Sequence, residues 1–366
     1  MSFESGRISC RIFFMPRSLP QDAVESFARD AAPAISGSSS TEYRGWVSGR
    51  HLLDRNITED TAHYGGYLRL ALLNAQRKVP AALLQAECKM EELAQMAAED
   101  ATSLSGKKRR AIRLSVQERL LPNMPPQLRG IPMVIDEKNE ALYTGAVTVP
   151  QSDLFAVHFS HTLGFNVTPW LPSTLALARK SMDVRDWRAT SFSPDVPDDR
   201  AGLHPGREFL TWLWFVGEVR GGTFELPDVG SVSCQLEGPL AFAGEEESAP
   251  EIVLRKGEPL GSAEAEASLR AGRKLKRACL TLARFDETWT TTLDADEFTF
   301  RSLRLPDTES FQPEARFQER IELLNNFRGM FMEIYDAFLE ERGDAARWKA
   351  TQGEIHEWVK DRTNTP

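Results

Sequence analysis

The chain has 366 residues, 41% of them hydrophobic and 27% charged, with a formal net charge of −9. That is the composition of a globular protein with room for two or three cores, and it excludes a uniformly basic nucleic-acid coat but not a local basic surface on an acidic body. No apolar run approaches the ~18 residues of a membrane span, the N-terminus lacks the apolar stretch of a secretory leader, and Cys10, Cys88, Cys234 and Cys279 form no close pair, which together read as a soluble cytoplasmic protein with reduced thiols.

Residues 7–15 combine β-branched and aromatic side chains before Pro16 and predict a strand; 20–31 predict a short helix. Gly37 to Thr41 is a polar loop of small residues, and Tyr43 to Val47 and Gly65 to Leu73 predict two more strands. Arg77 to Pro122 then carries two helical patterns that meet at Gly106. The first arm is acidic (Glu87, Glu91, Glu92, Glu99, Asp100), and the second opens on Lys107, Lys108, Arg109 and Arg110, with Arg113 a turn later. Cations at a helix start oppose the macrodipole, so stability does not explain them; they read either as a solvated charged face or as a phosphate-contacting cluster. Apolar runs around EKNEA predict a hairpin over 131–147, Gln151 to Leu163 a helix stopped by Gly164, and 165–171 a short strand.

Residues 173–206 read as a linker and Arg207 to Val219 as a helix with aromatic core residues. Two strands follow in 223–242, then an acidic turn at Glu245–Glu247 and a helix capped by Ser262. Lys276 to Phe285, Thr288 to Leu293 and Phe298 to Leu305 predict strands; from Pro313 one long helix runs to Arg342 and a shorter one to Lys360. The expected class is α+β, with mixed, mostly antiparallel sheets and long helices. Its expected regions are 1–172, the linker 173–206, a second α+β region over 207–311, and a helical extension over 312–366.

A second basic run, Arg270, Arg273, Lys274, Lys276 and Arg277, joins a helix end to a strand, where cations also suit the dipole. His158 and His161, three apart with Asp153 nearby, have the spacing of shared metal ligands but no third partner in the sequence. Glu87 and Lys89 form an isolated E-x-K fragment, and Gly106-Lys107 lacks the rest of a phosphate loop. Trp212, Trp214, Phe215 and Trp289 are core candidates rather than base-stacking platforms, and no cofactor or metal is called for.

The helical pair ending in LLP, the hairpin IPMVIDEKNEALYTG and the following GFNVTPWLP resemble the recombination-associated RdgC family. GW at Gly45–Trp46, RKVP at Arg77–Pro80, TWLW at Thr211–Trp214 and the stretch Ser262–Leu282 extend the resemblance over most of 7–305. It implies a non-enzymatic bacterial protein, associated with the nucleoid, that binds double-stranded DNA without strong sequence preference. The implied horseshoe subunit closes with a second copy into a homodimeric ring, which restrains the RecA recombinase indirectly by occupying DNA. Lys107, Lys108, Arg109, Arg110, Arg113, Arg270, Arg273, Lys274, Lys276 and Arg277 are the DNA-binding candidates under that reading. The fuller segment 181–206, the helices after 312 and the acids around Arg255–Lys256 depart from shorter family members. Two alternatives remain: a metal-dependent nuclease using His158 and His161, and a protein that docks a partner through its C-terminal helices.

Overall fold

A computed structural model describes residues 3–34, 42–244 and 250–362. The loop expected at 37–41 and the acidic turn expected at 245–247 lie outside the described residues. In chain order the elements are β1 (Ile8–Phe14), α1 (Ala23–Arg29), β2 (Glu42–Ser48), α2 (Glu59–Ala62), β3 (His63–Tyr64), β4 (Tyr67–Arg77), α3 (Ala81–Ala98), α4 (Gly106–Leu120), β5 (Pro126–Asp136), β6 (Ala141–Thr144), α5 (Val149–Leu163), β7 (Thr168–Pro169), α6 (Pro172–Lys180), α7 (Pro205–Val219), β8 (Thr223–Leu226), β9 (Gly230–Ala243), β10 (Ile252–Leu254), α8 (Ala263–Arg270), β11 (Lys274–Arg284), β12 (Glu287–Asp294), β13 (Thr299–Arg304), α9 (Pro313–Gly343) and α10 (Ala345–Asp361). The class is mixed α+β with antiparallel strand pairing and long helices, as the sequence suggests.

Two compact units divide the chain: Met1–Leu19, His63–Leu68 and Val134–Pro366 form one, and Pro20–Ala62 with Arg69–Met133 the other. In the larger unit the strand order is β10-β9-β11-β12-β13-β1-β6, all antiparallel, with β8 beside β9 and β7 beside β1. Helix α9 carries buried Phe317, Ile321, Leu324, Phe327, Phe331, Ile334 and Phe338, a three-to-four-residue repeat that turns one face inward. Its rings interlock with those of α7 and the sheet: Phe209 meets Tyr335 edge-on at 5.0 Å, and Phe300 meets Phe331 at 4.9 Å. Trp212, Trp214, Phe215 and Trp289 are buried in this core. Residues 173–206 begin as α6 and carry buried Phe192 and Ser193. Arg179 and Lys180 at the end of α6 pair with Asp336 and Glu340 of α9, at 2.5 and 2.7 Å.

Local signals account for the helix ends. Thr148 caps α5 by accepting the Gln151 amide, and Gly164 ends it at φ 70°, where a Cβ would be strained. Pro205 starts α7, and the next residue is glycine because a Cβ there would fall 1.9 Å from the Ala295 carbonyl. In the smaller unit β2 pairs along β4 from Glu42↔Gln76 to Ser48↔Leu70, and α3 and α4 form a helical hairpin. Cys10 and Cys234 are buried and unpaired; burial pushes the Cys10 thiol up to about 12 and raises Cys234 as well.

Two outcomes follow. Truncation after Gln312 removes the α9 face from the core, so the shortened chain should lose the cooperative thermal transition of the larger unit in circular dichroism. Phe331→Ala alone should cost about 3–5 kcal/mol in denaturant unfolding.

Candidate nucleic-acid interface

The first basic run opens α4. Ser105 caps the helix, its hydroxyl accepting the Lys108 amide, so the turn forms despite cations at the positive end of the dipole. Only Ile112 and Val116 of α4 are buried, packed with Val79, Leu84 and Leu104 in a small core. At about 100° per residue, Lys107 and Arg110 fall on the side of α4 turned away from those two residues, and Arg113 falls at its flank. All five cations of the run are exposed. Lys108 is engaged: its Nζ lies 2.5 Å from Glu99 Oε2 at the end of α3. That hydrogen bond is the main reason the Glu99 carboxyl sits below the ordinary glutamate range. Among the described residues, no ion pair or side-chain hydrogen bond occupies Lys107, Arg109, Arg110 or Arg113. Arg119 ties the far end of α4 to Glu87 of α3 at 3.0 Å, so the hairpin holds the cations on a braced rod.

The second run has a different fate. Lys274 is inside the larger unit, its Nζ 3.5 Å from Glu208 Oε1 and donating to the Gly202 carbonyl at 3.2 Å. Arg277 pairs with Glu251 at 2.5 Å, Lys276 with Asp296 at 3.7 Å and Arg270 with Asp195 at 3.3 Å. Arg273 donates to the Pro250 carbonyl at 2.8 Å. Four of these cations therefore face carboxylates of the chain itself, and one is sealed from any external phosphate. Sequence spacing places the run at a helix–strand junction but carries no trace of acids contributed from 195, 208, 251 and 296.

His158 is half-buried and His161 exposed on α5, with ring centroids 6.5 Å apart. Among the described residues no group of three or more His, Cys, Asp or Glu side chains is placed to hold a metal ion. Among those residues, too, no helix is long and apolar enough to cross a membrane.

Charge is unevenly distributed between the two units. The smaller one holds 15 Lys and Arg against 13 Asp and Glu, whereas the whole chain holds 44 against 53. The helical hairpin also leaves apolar side chains in water, with Met90 67%, Leu93 52% and Leu114 59% exposed. Neither feature is visible in the overall composition.

Residues 11–178 match the family model described as "RdgC: Putative exonuclease, RdgC". The match covers part of the chain, including the whole of the smaller unit and the α4 cluster, so this part is similar to the RdgC family. It ends before Thr211–Trp214 and Ser262–Leu282, into which the resemblance seen in the sequence patterns extends. No curated protein matches the chain.

The two basic runs separate experimentally. Lys274→Ala leaves buried Glu208 with Arg342 as its one remaining cation and should lower unfolding free energy by about 3 kcal/mol, while Lys107→Ala, at an exposed site, should change it by less than about 0.5 kcal/mol. Because its partner depresses the Glu99 pKa, the contribution of that ion pair is present above the ordinary glutamate range and disappears as pH falls through the depressed value. Carboxyl NMR titration of Lys108→Ala should show Glu99 moving up toward an ordinary glutamate.

Proposed function

We propose that the chain is a sequence-nonspecific double-stranded DNA-binding protein with a role in recombination. One observation carries the reading: four exposed, unpaired cations on a braced helix, within the segment similar to the RdgC family. Phosphate neutralisation by lysine and arginine needs no base readout and releases counterions, so such a cluster binds duplex DNA tolerantly and in a salt-dependent way. A single run on α4 spans roughly 9 Å and reaches only a few phosphates. Useful affinity therefore calls for a second copy.

The exposed Met90 and Leu93, one turn apart on α3, support self-association, because neighbouring apolar side chains on a polar helix face are ordinary at protein–protein contacts. A homodimer closed as a ring around DNA, obstructing a RecA filament without touching it, is the arrangement in which the cations of both copies act on one duplex. Lys107, Arg109, Arg110 and Arg113 are the contacts in this reading, with Lys108 recruited once it leaves Glu99. The paired residues of the second run serve the fold.

The family description names an exonuclease, so DNA cleavage is the second reading. It requires strand loss on incubation with magnesium or manganese, abolished in His161→Ala.

The deciding experiment titrates a labelled thirty-base-pair duplex at several salt concentrations, with the mass of the complex measured in parallel. Wild-type protein should bind unrelated sequences equally, as two copies. The variant with Lys107, Arg110 and Arg113 changed to alanine should bind about tenfold or more weakly, with the salt slope reduced by ~0.9 for each phosphate that is no longer neutralised. Unchanged affinity in the folded variant would remove the α4 cluster from the interface.

A further inference from the structure

Strands β11 and β12 form a hairpin closed by Phe285 and Asp286, between the paired Arg284 and Glu287. Phe285 has φ 53°, in the left-handed region where hairpin turns ordinarily place glycine or asparagine. Its side chain is also 91% exposed. The residue thus carries backbone strain and leaves a phenyl ring in water, and hairpin closure requires neither. Phe311, just before α9, is 97% exposed.

The two rings flank one recess in sequence. Asp286 follows the first ring and Glu309 stands two residues before the second, and both line a recess of about 530 Å³ with Glu287, Asp307, Glu319 and Arg304. Glu287 is partly neutralised by Arg284 at 3.1 Å, and Glu319 accepts the backbone amides of Glu309 and Ser310 at 2.8 and 3.1 Å. Among the described residues no ion pair takes the carboxylates of Asp286, Asp307 or Glu309.

We propose that this recess, together with Phe285 and Phe311, which neighbour its lining residues in the chain, docks a basic segment of a partner protein, one that presents lysine or arginine between apolar side chains. The carboxylates complement the cations, and exposed rings accept both aliphatic stems and cationic heads. The same carboxylates repel a phosphate backbone, which argues against nucleic acid stacking on Phe285 or Phe311. This surface lies in the larger unit and is independent of the α4 cluster.

The test uses the full chain and a fluorescein-labelled octapeptide of alternating lysine and leucine, read by anisotropy at low salt, with an alternating glutamate–leucine peptide as the charge control. The basic peptide should bind and the acidic one should not. The double variant Phe285→Gly, Phe311→Ser keeps the net charge, so a loss of about fivefold or more in affinity reports the rings rather than bulk acidity. Its Tm should be equal to or above wild type, since glycine suits the turn. Asp286→Asn with Asp307→Asn should weaken the peptide similarly. Three results would overturn the proposal: equal affinity for wild type and the ring variant, a clear fall in Tm of that variant, or loss of self-association in it by sedimentation, which would make a second copy the occupant.

Discussion

The larger unit depends on one buried charge. Glu208, on the first turn of α7, has no exposure to water, and its carboxylate lies 2.9 Å from Arg342 Nε of α9 and 3.5 Å from Lys274 Nζ of β11. A carboxylate cannot be left alone in such a place, so helix, helix and strand must arrive together for any of them to be seated. Arg342 is held in turn between Trp187 and Trp348, at 4.7 and 4.8 Å from the two ring centroids, and donates to the Arg188 carbonyl at 2.6 Å. Segment 187–202 is thereby fastened to the same point, because the Gly202 carbonyl accepts from Lys274. Burial and then the Glu208 charge raise the Tyr335 phenol, which keeps that ring neutral as it donates to the Pro172 carbonyl at 2.9 Å.

That constraint decides how the two basic runs differ. Both read alike in sequence, as four or five cations near a helix end. On α4 the flanking core is small, and solvent surrounds everything except the side facing Ile112 and Val116. On β11 the run enters a wide antiparallel sheet, where both Lys274 and Leu275 are buried at the strand's start and Lys276 and Arg277 stand beside acids of other strands and turns. The same residue types therefore serve an exposed field in one unit and internal pairing in the other.

Much of the fold was legible because local signals were strong. Ser262 at the start of α8, Gly164 at the end of α5 and the Gly106 break between α3 and α4 each follow from chemistry within a few residues. The short strand expected over 165–171 survives only at Thr168–Pro169, since Pro172 starts α6 immediately afterwards. What could not be read was non-local. The acids at 195, 251 and 296 that meet the second basic run are separated from it by long stretches of chain and converge only through sheet pairing. The same is true of Phe285: its exposure depends on which residue closes the β11–β12 turn, and the strand expected over Lys276–Phe285 runs into that turn.

Net charge is a poor guide to what such a protein binds. At physiological ionic strength charges are screened over about 8 Å, so a phosphate at α4 responds chiefly to the charges beside it, Lys107, Arg110 and Arg113. The relevant quantity is local, and the smaller unit, with 15 cations against 13 acids, is not acidic at all. The match over residues 11–178 contains that unit whole, so the part of the chain similar to the RdgC family includes the part that is not acidic. The remaining acidity lies in the larger unit, where exposed carboxylates discourage adventitious phosphate contacts. Under the DNA-binding function proposed for the chain, segregating charge in this way confines attraction for a phosphate backbone to the α4 run, which gives orientation without sequence readout.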